Sequence, residues 1–159
     1  MTNQEKEIAT IRERKLTLKL SDADVKRITD KAEANGLTVA ELLENFIGDL
    51  VGGTYTNGSD EGRLADEYFN RCWFGMFPDR TPINYAIEEG CIDLILDLVG
   101  ELEGYETEPE DFVEEIADVK EELQEIYQGY TGIVKDPKSY DDFITDIKAY
   151  NERLAQFMG

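Results

Sequence analysis

Histidine is absent from this chain of 159 residues, cysteine occurs only twice, and proline four times. Without imidazole, the Ser-His and Cys-His nucleophile systems have no base, and the commonest zinc ligand is missing. Cys72 and Cys91 stand far apart inside apolar helical patterns, which reads as two buried free thiols acting as small hydrophobes. No cofactor or metal is expected, and an enzyme built on this sequence would run on carboxylates alone, so the expectation is a protein without catalytic activity. No stretch approaches the roughly 18 apolar residues of a membrane span. The first fifteen residues are polar and lack the apolar centre of a signal peptide. The expected location is therefore cytoplasmic, with no membrane partner.

What is present is charge and enough apolar residue to fold. Apolar residues make up 41% and charged residues 33% of the chain, a globular and strongly solvated composition. The formal net charge of −20 is unevenly spread. Residues 1–52 carry eight Lys plus Arg against ten acids, and residues 53–159 carry eight against twenty-six. Such a second part repels nucleic acid and favours basic protein surfaces, or keeps the protein soluble.

Residues 14–20, Arg-Lys-Leu-Thr-Leu-Lys-Leu, alternate strictly. Leu16, Leu18 and Leu20 fall on one face and Lys15, Thr17 and Lys19 on the other, as in a strand with one wet face. No hairpin signal flanks it, and a lone strand leaves its backbone groups unpaired, so a partner strand is expected. Ser21 with Asp24 then opens a helix that Asn35-Gly36 ends. Thr38 with Glu41 forms a capping box for a second helix, whose Val39, Leu42, Leu43, Phe46, Ile47 and Leu50 recur at helical spacing.

Strand, helix, turn and helix over residues 14–51 resemble the ribbon-helix-helix family of Arc, MetJ and CopG repressors. The resemblance rests on Lys15-Leu16-Thr17-Leu18-Lys19-Leu20, the Ser21 cap, and Gly36 to Leu42. It implies a homodimer in which two chains pair their strands into an antiparallel ribbon around a core of Leu16, Leu18, Leu20, Leu42 and Phe46. It also implies double-stranded DNA as partner. Lys15, Thr17 and Lys19 would then read bases in the major groove, and the amides of Thr38, Val39 and Ala40 would hold a phosphate. The chemistry agrees independently, since lysine donates to guanine O6 and N7 and threonine offers a hydroxyl or a methyl. Arg12 and Arg14 add candidate phosphate contacts. The competing reading makes Lys15 and Lys19 only the solvated face of a dimerising strand, and Asp22 and Asp24 close by weigh against DNA.

The sequence thus divides into a flexible arm (1–13), the ribbon-helix-helix module (14–52), a Gly-rich linker (53–62) and an acidic helical domain (63–159). Asn57-Gly58-Ser59 is a glycosylation sequon in form and a turn in a cytosolic chain. Helices are expected over 61–76, 82–89, 91–103, 109–128 and 139–157. In the first, Leu64, Tyr68, Cys72 and Met76, widened by Phe69, Trp73 and Phe77, read as core packed on helix 91–103. In helix 109–128, Phe112, Ile116, Val119, Leu123 and Ile126 form the inner stripe. Glu114, Asp118, Glu121, Glu122 and Glu125 crowd the other faces, where residues four apart rise about 6 Å. That ridge reads as solvated surface, as a site for a basic protein, or as a mimic of a nucleic-acid backbone. The last helix lines up Tyr140, Phe143, Ile144, Ile147, Tyr150, Leu154 and Phe157 on one stripe.

The expectation is therefore a mainly α protein: a dimeric ribbon-helix-helix DNA-binding regulator of the plasmid or phage type, with an acidic protein-interaction domain. The alternative is an acidic DNA-mimic inhibitor of a nucleic-acid-handling enzyme, of the anti-CRISPR kind, that uses its N-terminal part only to dimerise.

Overall fold

The computed structural model describes residues 1–55, 61–72 and 81–159. Among these there are eight helices and no strand. The chain divides into two compact units, Met1–Pro78 and Asp79–Gly159, and the Gly-rich stretch lies inside the first.

The first unit holds α1 (Asn3–Ala9), α2 (Asp22–Glu33), α3 (Val39–Val51) and α4 (Glu61–Arg71). Residues 3–9, expected in a flexible arm, are helical because Thr2 and Glu5 form a reciprocal capping box. Gln4 Nε2 donates to the Thr54 carbonyl at 3.2 Å, and Thr54 Oγ1 donates to Glu7 at 3.0 Å, which ties α1 to the residues after α3. Ser21 caps α2, and Thr38 with Glu41 forms the expected box on α3. Gly36 ends the α2 turn at φ 74°, a left-handed conformation that suits glycine. The helix α4 packs against α3, within its own unit.

The ribbon-helix-helix assignment is corrected here. Residues 11–20 carry no helix and no strand pairing, and the architecture of the described chain is all-helical. Alternation with period two records only which side chains share a side of an extended segment. A strand exists when its amides and carbonyls enter a ladder with a neighbour, and this segment enters none. Leu16, Leu18 and Leu20, expected in a dimer core, are 66%, 57% and 54% exposed. Leu42 is half-buried and Phe46 is exposed.

The second unit holds α5 (Pro82–Glu88), α6 (Ile92–Tyr105), α7 (Val113–Ile133) and α8 (Tyr140–Met158). Its core gathers Ile95 and Leu98 of α6, Leu123 and Tyr130 of α7, and Phe143 and Ile147 of α8. Tyr130 meets Phe143 at a ring-centroid distance of 5.1 Å and Tyr85 of α5 edge-on at 5.6 Å. Cys91 is half-buried against this core and Cys72 is half-buried in the first unit; both are free thiols. The helix expected over 109–128 begins at Val113 and runs to Ile133. Phe112 stands at its cap with its ring 4.9 Å from Tyr105. Gly129 lets the Tyr85 hydroxyl approach α7, because a Cβ there would sit 2.8 Å from it. The expected core role of Trp73, Met76 and Phe77, and the turn at Asn57-Gly58-Ser59, lie outside the described residues.

Two glycines in helices should answer alanine oppositely. Gly100 in α6 has nothing within 4 Å of a new Cβ, so Gly100→Ala should stabilise by up to about 1 kcal/mol through helix propensity. Gly129→Ala gains the same propensity but overpacks against Tyr85, at about 1–3 kcal/mol, so it should be destabilising by about 1 kcal/mol. Thermal unfolding of both variants checks this, and Tyr85→Phe combined with Gly129→Ala should recover most of the loss.

Candidate functional site

The first candidate surface is the segment 11–20 with the start of α3. Every residue from 11 to 20 is exposed. Four cations, Arg12, Arg14, Lys15 and Lys19, face a single acid, Glu13, in a chain that is otherwise strongly negative. Lys15, Thr17 and Lys19 alternate in sequence with the three leucines. Arg14 donates to the Thr10 carbonyl at 3.0 Å. Leu18 and Leu20 line a shallow groove of about 450 Å³ with Ile28, Val39 and Leu43, rimmed by Asp24, Arg27 and Lys31. Leu18 and Leu20 thus face residues of α2 and α3 across this groove.

At the start of α3, the Thr38 amide donates to Glu41 at 3.2 Å and the Glu41 amide to Thr38 Oγ1 at 3.1 Å. The amides of Val39 and Ala40 have no such partner among the described residues. A phosphate here meets two open amides and the helix dipole, and it also meets the Glu41 carboxylate, which already answers that dipole.

The second surface is the outer face of α7. Glu114, Asp118, Glu121, Glu122 and Glu125 are all exposed, as their spacing required. None makes an ion pair among the described residues, whereas the lysines of this unit that do pair choose acids elsewhere: Lys120 with Glu106, Lys138 with Asp146, and Lys148 with Glu103. The ridge therefore faces solvent without a cationic partner among the described residues.

A third feature was not legible in the sequence. Between α6, α7 and α8 lies an open cleft of about 510 Å³. Its floor is Val99, Leu102, Leu123 and Ile144, and its rim carries Glu103, Glu106, Asp141, Lys120 and Lys148. Tyr140 lines one side; burial pushes its hydroxyl pKa up, and Asp141 and Glu106 push it further in the same direction. The signal in the sequence was weak: Lys120 and Lys148 each interrupt an acidic helix, but only the packing of three helices brings them to one cleft.

No group of three or more potential metal ligands occurs among the described residues. No described helix is long and apolar enough to cross a membrane. Comparison with family models, with curated proteins and with solved structures gives no match for this chain.

Proposed function

We propose that this protein works by binding rather than catalysis: the N-terminal unit self-associates into a homodimer and contacts double-stranded DNA, and the acidic helical unit engages a basic protein. The observation that carries the reading is the split character of segment 11–20. Its leucines expose an apolar side that water disfavours, and a patch of this kind marks an association surface. Its Arg12, Arg14, Lys15 and Lys19 form a local cationic stretch suited to a phosphate backbone. The DNA contact is made by an exposed segment outside the helices, with Lys15, Thr17 and Lys19 reaching base edges and Arg12 and Arg14 the phosphates. Such a protein would act as a regulator whose output passes through the acidic unit.

A second reading rests on its own observation, the unpaired carboxylate ridge of α7. In it, the acidic unit imitates a nucleic-acid backbone and blocks an enzyme that handles DNA, and the N-terminal unit only holds two copies together. The net charge of −20 supports it.

Fluorescence anisotropy of labelled duplex DNA, titrated with the full chain over a series of salt concentrations, separates the two. The regulator reading expects binding that Lys15→Glu with Lys19→Glu weakens by at least about tenfold, with the salt slope falling by about 2. Absence of DNA binding at low salt, with tight salt-sensitive binding to a basic DNA-handling enzyme, would replace it with the inhibitor reading. For the dimer, sedimentation equilibrium should give twice the chain mass at micromolar concentration. Leu18→Glu should shift the protein toward monomer, and a wild-type monomer would overturn self-association.

A further inference from the structure

We infer that the cleft between α6, α7 and α8 is the docking groove for an amphipathic basic helix of a partner protein, with an aliphatic anchor on the cleft floor and flanking Lys or Arg on its rim. The inference rests on reading Asp79–Gly159 as a protein-binding unit, and it names where and how that binding occurs.

Three features define the occupant. The first is length: the wall formed by α6 and its C-cap runs from Val99 to Glu106, seven residue steps or about 10 Å, which is roughly two turns of a docked helix. The second is the floor. Leu102 and Ile144 are only half-buried, so an apolar side chain seated between them removes more aliphatic surface from water at about 25 cal/mol per Å². Helix-in-groove recognition works by anchors of this kind.

The third feature is charge. The two rim lysines are already answered, Lys120 by Glu106 at 3.8 Å and Lys148 by Glu103 at 3.2 Å. Asp141 makes no ion pair among the described residues and leaves the rim net acidic. On α7, Glu121 and Glu125 follow Lys120 and Gln124 by one residue each, about 100° around the helix, which joins the cleft edge to the carboxylate ridge. An anionic occupant would face this whole field. A cationic one gains from it, and its Lys or Arg groups compete with Lys120 and Lys148 for Glu103 and Glu106. An apolar floor flanked by unpaired acid selects a segment that is both apolar and basic, and a purely basic chain lacks the anchor.

The probe is a synthetic amphipathic helix made only of leucine and lysine, with oligolysine of equal charge as its comparator, titrated into the full chain. Methyl NMR is the readout, because Val99, Leu102, Leu123 and Ile144 all carry methyl groups. The expected result is saturable shifts at these four residues with the amphipathic peptide and none of comparable size with oligolysine. Thr145→Trp, at an exposed cleft position, should fill the groove without entering the core and weaken the peptide by at least about tenfold. Reversal of Glu114 and Asp118 to lysine should lower affinity mainly at low salt. Equal binding of both peptides, indifferent to Thr145→Trp, would overturn the groove and leave the acidic-face reading standing. Methyl shifts confined to the N-terminal unit, at Leu43 or Leu64, would also overturn it. Binding of neither peptide would remove both readings.

Discussion

The contact on which the second unit depends is the meeting of Tyr130 and Phe143 in its centre. Both side chains are essentially fully buried, and their rings hold α7 against α8. Tyr130 does a second thing, because its hydroxyl accepts a hydrogen bond from the Lys138 amide at 3.0 Å. Tyr127 adds a donor to the Lys138 carbonyl at 2.8 Å. The α7–α8 connection is thereby held at both its backbone donor and its backbone acceptor, just before Ser139 caps α8. These bonds pin an exposed connection to the two tyrosines, each contributing about 1 kcal/mol. With the α8 start fixed, Tyr140, Ile144 and Lys148 come to the cleft, and the acidic face of α7 is turned to solvent.

Among its described residues the N-terminal unit has no comparable centre. Ala32 is the only buried residue among its described residues. Its helices owe their definition to local devices, namely the caps at Thr2, Ser21 and Thr38 and the glycine turn at Gly36. Caps of this kind contribute about 1 kcal/mol each, which marks where a helix begins without holding helices together. Meanwhile Leu16, Leu18, Leu20, Phe46 and Ile47 each keep about half or more of their surface in water. A folded chain tolerates scattered exposed leucines, but a concentration in one unit is a surface that gains free energy when covered. This imbalance among the described residues supports the proposal that the first unit associates and the second recognises a partner.

Helix positions and inner stripes of the second unit were largely legible in the sequence, since they follow from period. Val119, Leu123, Phe143 and Ile147 are buried where their spacing put them. The outward direction of Glu114, Asp118, Glu121, Glu122 and Glu125 follows from the same periodicity, because one stripe of a helix facing a core turns the opposite stripe to water. The strand at 14–20 was misjudged for a definite reason. Alternation describes side chains, whereas a strand is made by backbone partners, and sequence pattern carries no information about whether such a partner stands alongside.

By itself, then, the sequence determined the charge of −20, the absence of imidazole chemistry, the amphipathic helices and their caps. These are properties of residue type and of neighbours within a few positions. Only the tertiary structure decided that α4 packs on α3, that Gly129 makes room for the Tyr85 hydroxyl, and that Lys120 and Lys148 share a cleft with Glu103, Glu106 and Asp141. Each of these brings together residues far apart along the chain. Their meeting depends on how whole helices cross and which gaps side-chain volumes leave, and no local pattern encodes that.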